Sequence, residues 1–109
     1  MALDLPESLA RYFAAQNDHD VEGMVAAFAP DAEVRDEGRA YVGREAIGEW
    51  KRETSAKYGI TVRPLRAKRD SDALTATVRV SGNFPGSPAE LTYDFLLDRS
   101  DAIRRLEIH

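Results

Sequence analysis

The sequence predicts an α+β domain in which three N-terminal helices pack in a curved antiparallel sheet. Three observations lead to this fold class. Apolar residues recur at helical spacing as far as Tyr58, the period changes to two from Ile60 onward, and turn-forming residues separate the later segments. Helices gathered before a run of hairpin-linked strands are typical of this class. The chain has 109 residues, so we expect a single domain over residues 1–109.

The first two helices are predicted to form a hairpin. The turn-forming residues 17–20 end the first helix, and a second helix begins near Val21 and ends at Pro30. Helices joined by so short a turn pack against each other. The first helix has an apolar stripe of three residues at helical spacing, namely Leu9, Tyr12 and Phe13.

A short strand and a third helix follow. The strand is predicted over 32–36, a loop over 38–43, and the helix from about Arg44 to Tyr58, with Gly59 as its C-cap. The inward stripe of this helix is expected to consist of Ile47, Trp50, Thr54 and Tyr58.

Four strands are predicted after the third helix. Apolar and polar residues alternate over 74–81 and, except at Leu96, over 91–98, and the last strand covers 102–108. The segment before them carries a basic run, which is typical of a solvated edge strand because charge discourages stray pairing. The run consists of Arg63, Arg66, Lys68 and Arg69.

Composition excludes several classes of protein. Cysteine is absent, which rules out disulfide scaffolds and thiolate chemistry. A net charge of −4 argues against a nucleic-acid binder. No apolar run approaches the ~20 residues that span a bilayer, and the first residues have no signal-peptide pattern, so we expect a cytoplasmic protein. No metal-ligand spacing or phosphate-binding loop is present, so we expect neither a metal nor another cofactor.

Two stretches of the sequence resemble a known superfamily. Residues 12–32, YFAAQNDHDVEGMVAAFAPDA, resemble the N-terminal helical hairpin of the nuclear transport factor 2-like superfamily, which includes ketosteroid isomerases and SnoaL-like polyketide cyclases. Residues 42–47, VGREAI, resemble the loop into its third helix. The resemblance covers essentially the whole chain. It implies a sheet wrapped round three helices, a cone with an apolar internal pocket, and a homodimer formed through the sheet.

The resemblance also implies a catalytic site. Tyr12 falls on the position of the oxyanion-donating tyrosine of the ketosteroid isomerases, and Asp36, 24 residues later, falls on that of their general base. Tyr93 stands where those isomerases have a second donor, a protonated aspartate. An aspartate beside an apolar pocket removes a proton next to a carbonyl, and a hydroxyl stabilises the resulting oxyanion.

Structural roles remain open for the same residues. Tyr12 is also consistent with a core position, and Asp36 with a solvated strand end or an ion pair with Arg35 or Arg39. Aromatic residues on the inward faces are expected to contact a ligand or to fill the core. These residues are Phe13, Phe28, Trp50, Tyr58 and Phe95.

Three functions therefore remain open. The first is a small dimeric protein that binds an apolar or aromatic organic molecule and catalyses cofactor-independent proton transfer, as an isomerase, cyclase or dehydratase. The second is a non-catalytic binding or dimerisation module, and the third is a pocketless protein whose cone is filled by Phe13, Trp50, Tyr93 and Phe95. The homodimer is expected to use the outer sheet face, which carries Thr75, Thr77, Arg79, Thr92, Asp94 and Leu96.

Overall fold

Three helices and six strands make up residues 4–109, the part of the chain that this computed structural model describes. The helices are α1 (Glu7–Asn17), α2 (Val21–Ala26) and α3 (Arg44–Tyr58). The strands are β1 (Phe28–Asp36), β2 (Arg39–Val42), β3 (Thr61–Asp70), β4 (Ala73–Ser81), β5 (Ala89–Leu97) and β6 (Ile103–Ile108).

The strands form one sheet in the order β2-β1-β6-β5-β4-β3. The α+β class is confirmed, but the prediction of an entirely antiparallel sheet is wrong at one pair. β1 and β6 run parallel, with Val34 opposite Leu106, while the other four pairs are antiparallel. Parallel neighbours need a long connection. Here that connection is the whole chain segment from β2 to β5, which returns β6 to the centre of the sheet.

The second helix is shorter than its sequence pattern predicts. It ends at Ala26, and Phe28 is already the first residue of β1. Phe28 is fully buried and pairs with Ile103, whose backbone N–H donates to the Ala27 carbonyl over 2.9 Å. Pro30 therefore lies within a strand, at a shift in register where its missing N–H is tolerated. Pairing of β1 with β6 thus makes residues 28–30 part of a strand, although Phe28 fits the helical spacing of the sequence.

The predicted loop over 38–43 contains the short strand β2. Glu37 and Gly38 both have positive φ angles, 53° and 77°, as in the two-residue turns that close β-hairpins. This turn pairs Asp36 with Arg39 and fixes the register of β1 against β2. Asp36 consequently stands at the last position of its strand, next to a tight turn.

The third helix agrees with its predicted bounds. Gly59 adopts the left-handed conformation expected of a C-cap, at φ 57° and ψ 46°. At the other end, the Arg44 guanidinium donates to the Phe28 carbonyl over 2.6 and 3.0 Å, which anchors α3 to β1. The basic run lies exposed on β3, the outermost strand, as predicted.

The core lies between the helices and the inner face of the sheet. Alternate residues of β4 and β5 point into it and are at most 4% exposed, namely Leu74, Ala76, Val78, Val80, Tyr93, Phe95 and Leu97. Leu9 and Tyr12 of α1 and Ile47 of α3 cover them. No helix within residues 4–109 is long and apolar enough to cross a membrane.

Candidate active site

A cavity of about 400 Å³ lies among α1, α3 and the inner face of the sheet. Its apolar lining includes Trp50, Tyr58, Ile60, Val80, Leu91 and Ile108. Its polar lining includes Gln16, Asp36, Lys51 and Tyr93. A more open groove of about 740 Å³ adjoins it at Asp36 and continues over charged residues of the β1–β2 turn. The smaller and less open cavity is the better candidate site, since it combines aromatic rings with several polar groups.

Asp36 stands at the mouth of this cavity. Its side chain is half-buried, and this burial, together with the neighbouring Glu37 carboxylate, raises its pKa. The charge of Lys51 and a hydrogen bond with the Trp50 side chain lower the pKa of Asp36, but not enough to cancel this rise. A carboxylate with a raised pKa is a stronger base than an ordinary aspartate, so Asp36 has the properties that proton abstraction from carbon requires.

Tyr93 projects from β5 into the same cavity and is 4% exposed. Burial and the nearby Asp36 carboxylate raise the pKa of its hydroxyl. The hydroxyl therefore stays protonated at neutral pH. Tyr93 is placed to donate a hydrogen bond beside the candidate base.

Tyr12 lies deeper, behind the cavity lining. It is 1% exposed, and its hydroxyl finds no hydrogen-bond partner in residues 4–109. Its pKa is raised well above the ordinary value by burial, and then by Tyr93 and Asp36. The three residues that the sequence predicts as catalytic therefore lie within electrostatic range of one another.

The aromatic residues predicted to contact a ligand fall into two groups. Trp50 and Tyr58 line the cavity. Phe13, Phe28 and Phe95 do not, because they pack around Tyr12 with ring centroids 5.4 to 6.2 Å from its own. The structure thus places these three phenylalanines in the core.

Lys51 is a site residue that the sequence analysis does not predict. It is 4% exposed, and its Nζ donates to Gln16 Oε1 over 2.7 Å. Nζ also lies 4.2 Å from the centre of the Trp50 ring and 4.8 Å from that of Tyr12. Burial lowers the pKa of Lys51 to about 7, and the Asp36 carboxylate opposes that shift. The signal was its position four residues after Ile47, on the inward face of α3.

Local structure holds this lysine in place. Gln16 donates to the Ile60 carbonyl over 3.3 Å, which leaves its Oε1 for Lys51. The next residue, Asn17, exchanges two hydrogen bonds with the Val62 backbone, at 2.7 and 2.9 Å. The end of α1 is therefore fixed to the start of β3, and Lys51 is fixed to both through Gln16.

Pairing of β5 and β6 brings together three potential metal ligands that sequence spacing does not predict. These are Asp94, Glu107 and His109, with ligand atoms within 4.8 Å of one another. The Asp94 carboxylate already accepts from Thr75 over 2.9 Å and pairs with His109. Arg79, on the same outer face of the sheet, pairs with Glu90.

A family model and several solved structures relate this chain to known proteins. Residues 9–102 match the SnoaL-like domain family. A search of curated protein sequences finds no significant match. Among solved structures, SMa1630 of Sinorhizobium meliloti, a candidate polyketide cyclase, is 39% identical over 97% of this chain and 96% of that chain, with a TM-score of 0.93.

Two more distant structures share the fold. A Catenulispora acidiphila protein with a ketosteroid isomerase-like fold, solved with trimethylamine, is 26% identical over 97% of this chain and 86% of that chain, with a TM-score of 0.81. RV0760c of Mycobacterium tuberculosis, solved with estradiol-17β-hemisuccinate, is 17% identical over 94% and 89%, also with a TM-score of 0.81. The family match covers most of the chain and agrees with the resemblance seen in its sequence, so the chain belongs to the SnoaL-like domain family.

Proposed function

We propose that this protein binds a small apolar or aromatic carbonyl compound and catalyses cofactor-independent proton transfer on it, as in an isomerase, cyclase or dehydratase. One observation carries the proposal: a half-buried aspartate with a raised pKa shares an apolar cavity with a protonated tyrosine. The likeness to a candidate polyketide cyclase supports the reaction class.

The proposed reaction begins with proton abstraction. The Asp36 carboxylate removes a proton from the carbon next to the carbonyl, and the electron pair moves onto the carbonyl oxygen. Tyr93 donates a hydrogen bond to that oxygen as its charge develops. The protonated Asp36 then returns the proton to a different carbon, or to a leaving hydroxyl in a dehydration.

Tyr12 is proposed as a second donor. An unpartnered hydroxyl is uncommon in a protein interior, because burial removes its bonds to water. The hydroxyl lies within electrostatic range of both Asp36 and Tyr93. A bound oxyanion that reaches this point would satisfy it, which supports the role that the family resemblance implies.

The remaining lining selects the substrate. Trp50 and Tyr58 offer ring surfaces on one side, and Val80, Leu91 and Ile108 offer aliphatic surface on the other. A volume of about 400 Å³ is within the range of sites for small organic molecules. The substrate class is therefore a compact cyclic ketone or enone with little charge.

A screen of cyclic enones and aromatic ketones tests this proposal. Proton exchange at the carbon next to the carbonyl, followed by NMR in deuterated buffer with a chelator present, detects turnover. Asp36→Asn keeps the shape of the side chain and should lower turnover by about 10²–10⁴-fold. Asp70→Asn, at an exposed site on β3, is the control. Turnover that survives Asp36→Asn unchanged would remove Asp36 from the mechanism.

A non-catalytic binding module is the second candidate. It is favoured by the absence of an acidic second donor, since Tyr93 occupies that position, and by the location of Tyr12 outside the cavity lining. Ligands that bind in the same screen without any exchange or isomerisation would establish this function instead.

We further propose that two copies pair through the outer face of the sheet. Thr77 and Thr92 face each other near its centre and are half-buried, as is Leu96. This face mixes Leu96 and threonine side chains with the charged Arg79 and Asp94 and is not purely charged, which supports a second copy as its partner.

A further inference from the structure

Lys51 is the least expected residue of the cavity. Lysine is almost never fully buried unless its charge is paired, because removing an ammonium from water is costly. Here the side chain is 4% exposed, and it forms no salt bridge with the part of the chain that is described. Its one hydrogen bond to residues 4–109 is to a neutral amide oxygen, that of Gln16. Compared with water, this burial favours the uncharged amine, while the Trp50 and Tyr12 ring faces and the Asp36 carboxylate favour the ammonium.

The position of Nζ makes this amine accessible to a ligand. Lys51 lines the cavity together with Asp36 and Tyr93. The Trp50 ring and Gln16 hold the end of its side chain, so an entering molecule meets an ordered amine. The amine, the candidate base and a hydroxyl donor thus line one cavity.

We propose that Lys51 is a nucleophile that condenses with the carbonyl carbon of an aldehyde or ketone bound in the cavity, forming an imine. The inference deepens the proposed function by assigning a covalent route for the same carbonyl substrate. It goes beyond hydrogen-bond activation because the protein and substrate become linked.

The step balances without any further reactant. The lone pair of the neutral Nζ attacks the carbonyl carbon, and a proton passes from that nitrogen to the carbonyl oxygen. The carbinolamine then loses water as the nitrogen lone pair forms the C=N bond. Protonation of the imine nitrogen gives an iminium, and the Asp36 carboxylate removes the neighbouring C–H proton to give an enamine. The protonated Asp36 returns this proton to a carbon of the enamine, which gives an iminium again. Hydrolysis of the iminium by one water releases the product, the proton taken up by the imine nitrogen and the free amine.

The groups around Lys51 determine when it is nucleophilic. Tyr12 of α1 and Tyr93 of β5 are protonated at neutral pH and add no charge, whereas Asp36 at the end of β1 favours the ammonium. Burial outweighs Asp36 and sets the pKa near 7, so about half of the amine is free at that pH. In an ordinary lysine, with a pKa near 10.4, only roughly one side chain in a few thousand carries the uncharged amine at pH 7.

Reductive trapping on the intact protein tests the proposal. The protein is incubated with cyclohexanone and sodium cyanoborohydride at pH 7, and the labelled lysines are located by peptide mass spectrometry. The chain has only three lysines, and Lys57 and Lys68 are exposed. We expect the cyclohexyl group on Lys51 at least about tenfold faster than on the other two, because of its larger free-amine fraction.

Two variants provide the matched comparison. Lys51→Met should lose the cavity label, and Lys57→Met, on the exposed side of the same helix, should keep it. The rate at Lys51 should rise with pH through about 7 and then level off. Equal labelling of the three lysines, or none at Lys51, would overturn the proposal. The wild-type peptide map decides this even if Lys51→Met folds poorly.

The outcomes separate this proposal from the function it rests on. Trapping at Lys51 that persists in Asp36→Asn, with proton exchange lost, supports both. Proton exchange that depends on Asp36, without any trapping at Lys51, overturns the nucleophilic role of Lys51 and leaves the proposed function standing. Trapping at Lys51 with exchange that is indifferent to Asp36→Asn supports the amine and contradicts Asp36 as base.

Discussion

Gln16 and Lys51 form a buried hydrogen bond of 2.7 Å that joins the end of α1 to the middle of α3. The two residues are 35 positions apart in the chain, and each is at most 4% exposed. Because the acceptor is an amide rather than a carboxylate, the bond orders the amine without supplying a compensating charge. Gln16 is therefore a positioning residue whose chemical type influences the protonation of Lys51.

Gln16→Glu tests this relationship. A carboxylate at the same distance favours the ammonium, so the pKa of Lys51 should rise. Trapping by cyclohexanone at pH 7 should then fall by about tenfold for each unit of that rise, and its pH profile should move to higher pH. Ala56→Glu adds the same charge on the exposed side of α3 and should leave the profile in place. A Gln16→Glu profile that superimposes on the wild type would contradict the argument.

The buried amine should also make stability depend on pH. The pKa of Lys51 is about 7 in the folded chain and about 10.5 in an unfolded one, so between these values the unfolded state binds more protons. The free energy of unfolding should therefore rise with pH, by about 2 kcal/mol between pH 7 and pH 9 from this group. Below pH 7 its contribution is at its lowest.

Urea unfolding of wild type and Lys51→Met at pH 7 and pH 9 measures this contribution. His109, whose pKa is raised mainly by its hydrogen bond to Asp94, contributes in the opposite direction as it loses its proton. That residue is common to both proteins, so the difference between them isolates the lysine. We expect Lys51→Met to gain stability relative to wild type as the pH falls from 9 to 7. A constant difference would show that the amine is not desolvated.

The proposed dimer places the outer face of the sheet against a second copy of the chain. Thr77→Glu places a charge near the centre of this face, opposite Thr92, and should weaken a dimer because two charges would then be buried near the axis of the pair. Ala14→Glu, on the exposed side of α1 and away from this face, is the control. Light scattering at micromolar concentration reports the mass. A wild-type protein with the mass of one chain would exclude this dimer.

The fold could be predicted to a large extent because most of its elements have clear local patterns. The stripe and terminal Gly59 of α3, and the alternation in β4 and β5, suffice to define those elements. The start of β1 could not be predicted, since Phe28 fits a helical stripe and becomes a strand residue only by pairing with Ile103. The parallel β1–β6 pair likewise depends on contacts between distant parts of the chain.

The residues of the candidate site also differ in whether the sequence points to them. A family resemblance and their positions on predicted elements point to Tyr12, Asp36 and Tyr93 as candidates, and the structure places Asp36 and Tyr93 in one cavity with Tyr12 behind its lining. Lys51 could not, because a lysine beside Trp50 is normally solvated, and only the contact with Gln16 on another helix reveals its burial. The lysine's fit to the stripe that starts at Ile47 is the one local signal for it.

Tyr12→Phe tests whether the Tyr12 hydroxyl takes part in catalysis or has only a structural role. The hydroxyl has no partner in residues 4–109, so its removal relieves an unsatisfied buried group and should leave the free energy of unfolding unchanged or raise it by about 1 kcal/mol. If it donates to the developing oxyanion, the same change should lower turnover by about 10- to 100-fold. That loss is smaller than the loss for Asp36→Asn, because Tyr93 shares the role. Tyr41→Phe, on β2 and outside the cavity lining, is the control. A variant that loses stability and keeps full turnover would make the Tyr12 hydroxyl a structural group.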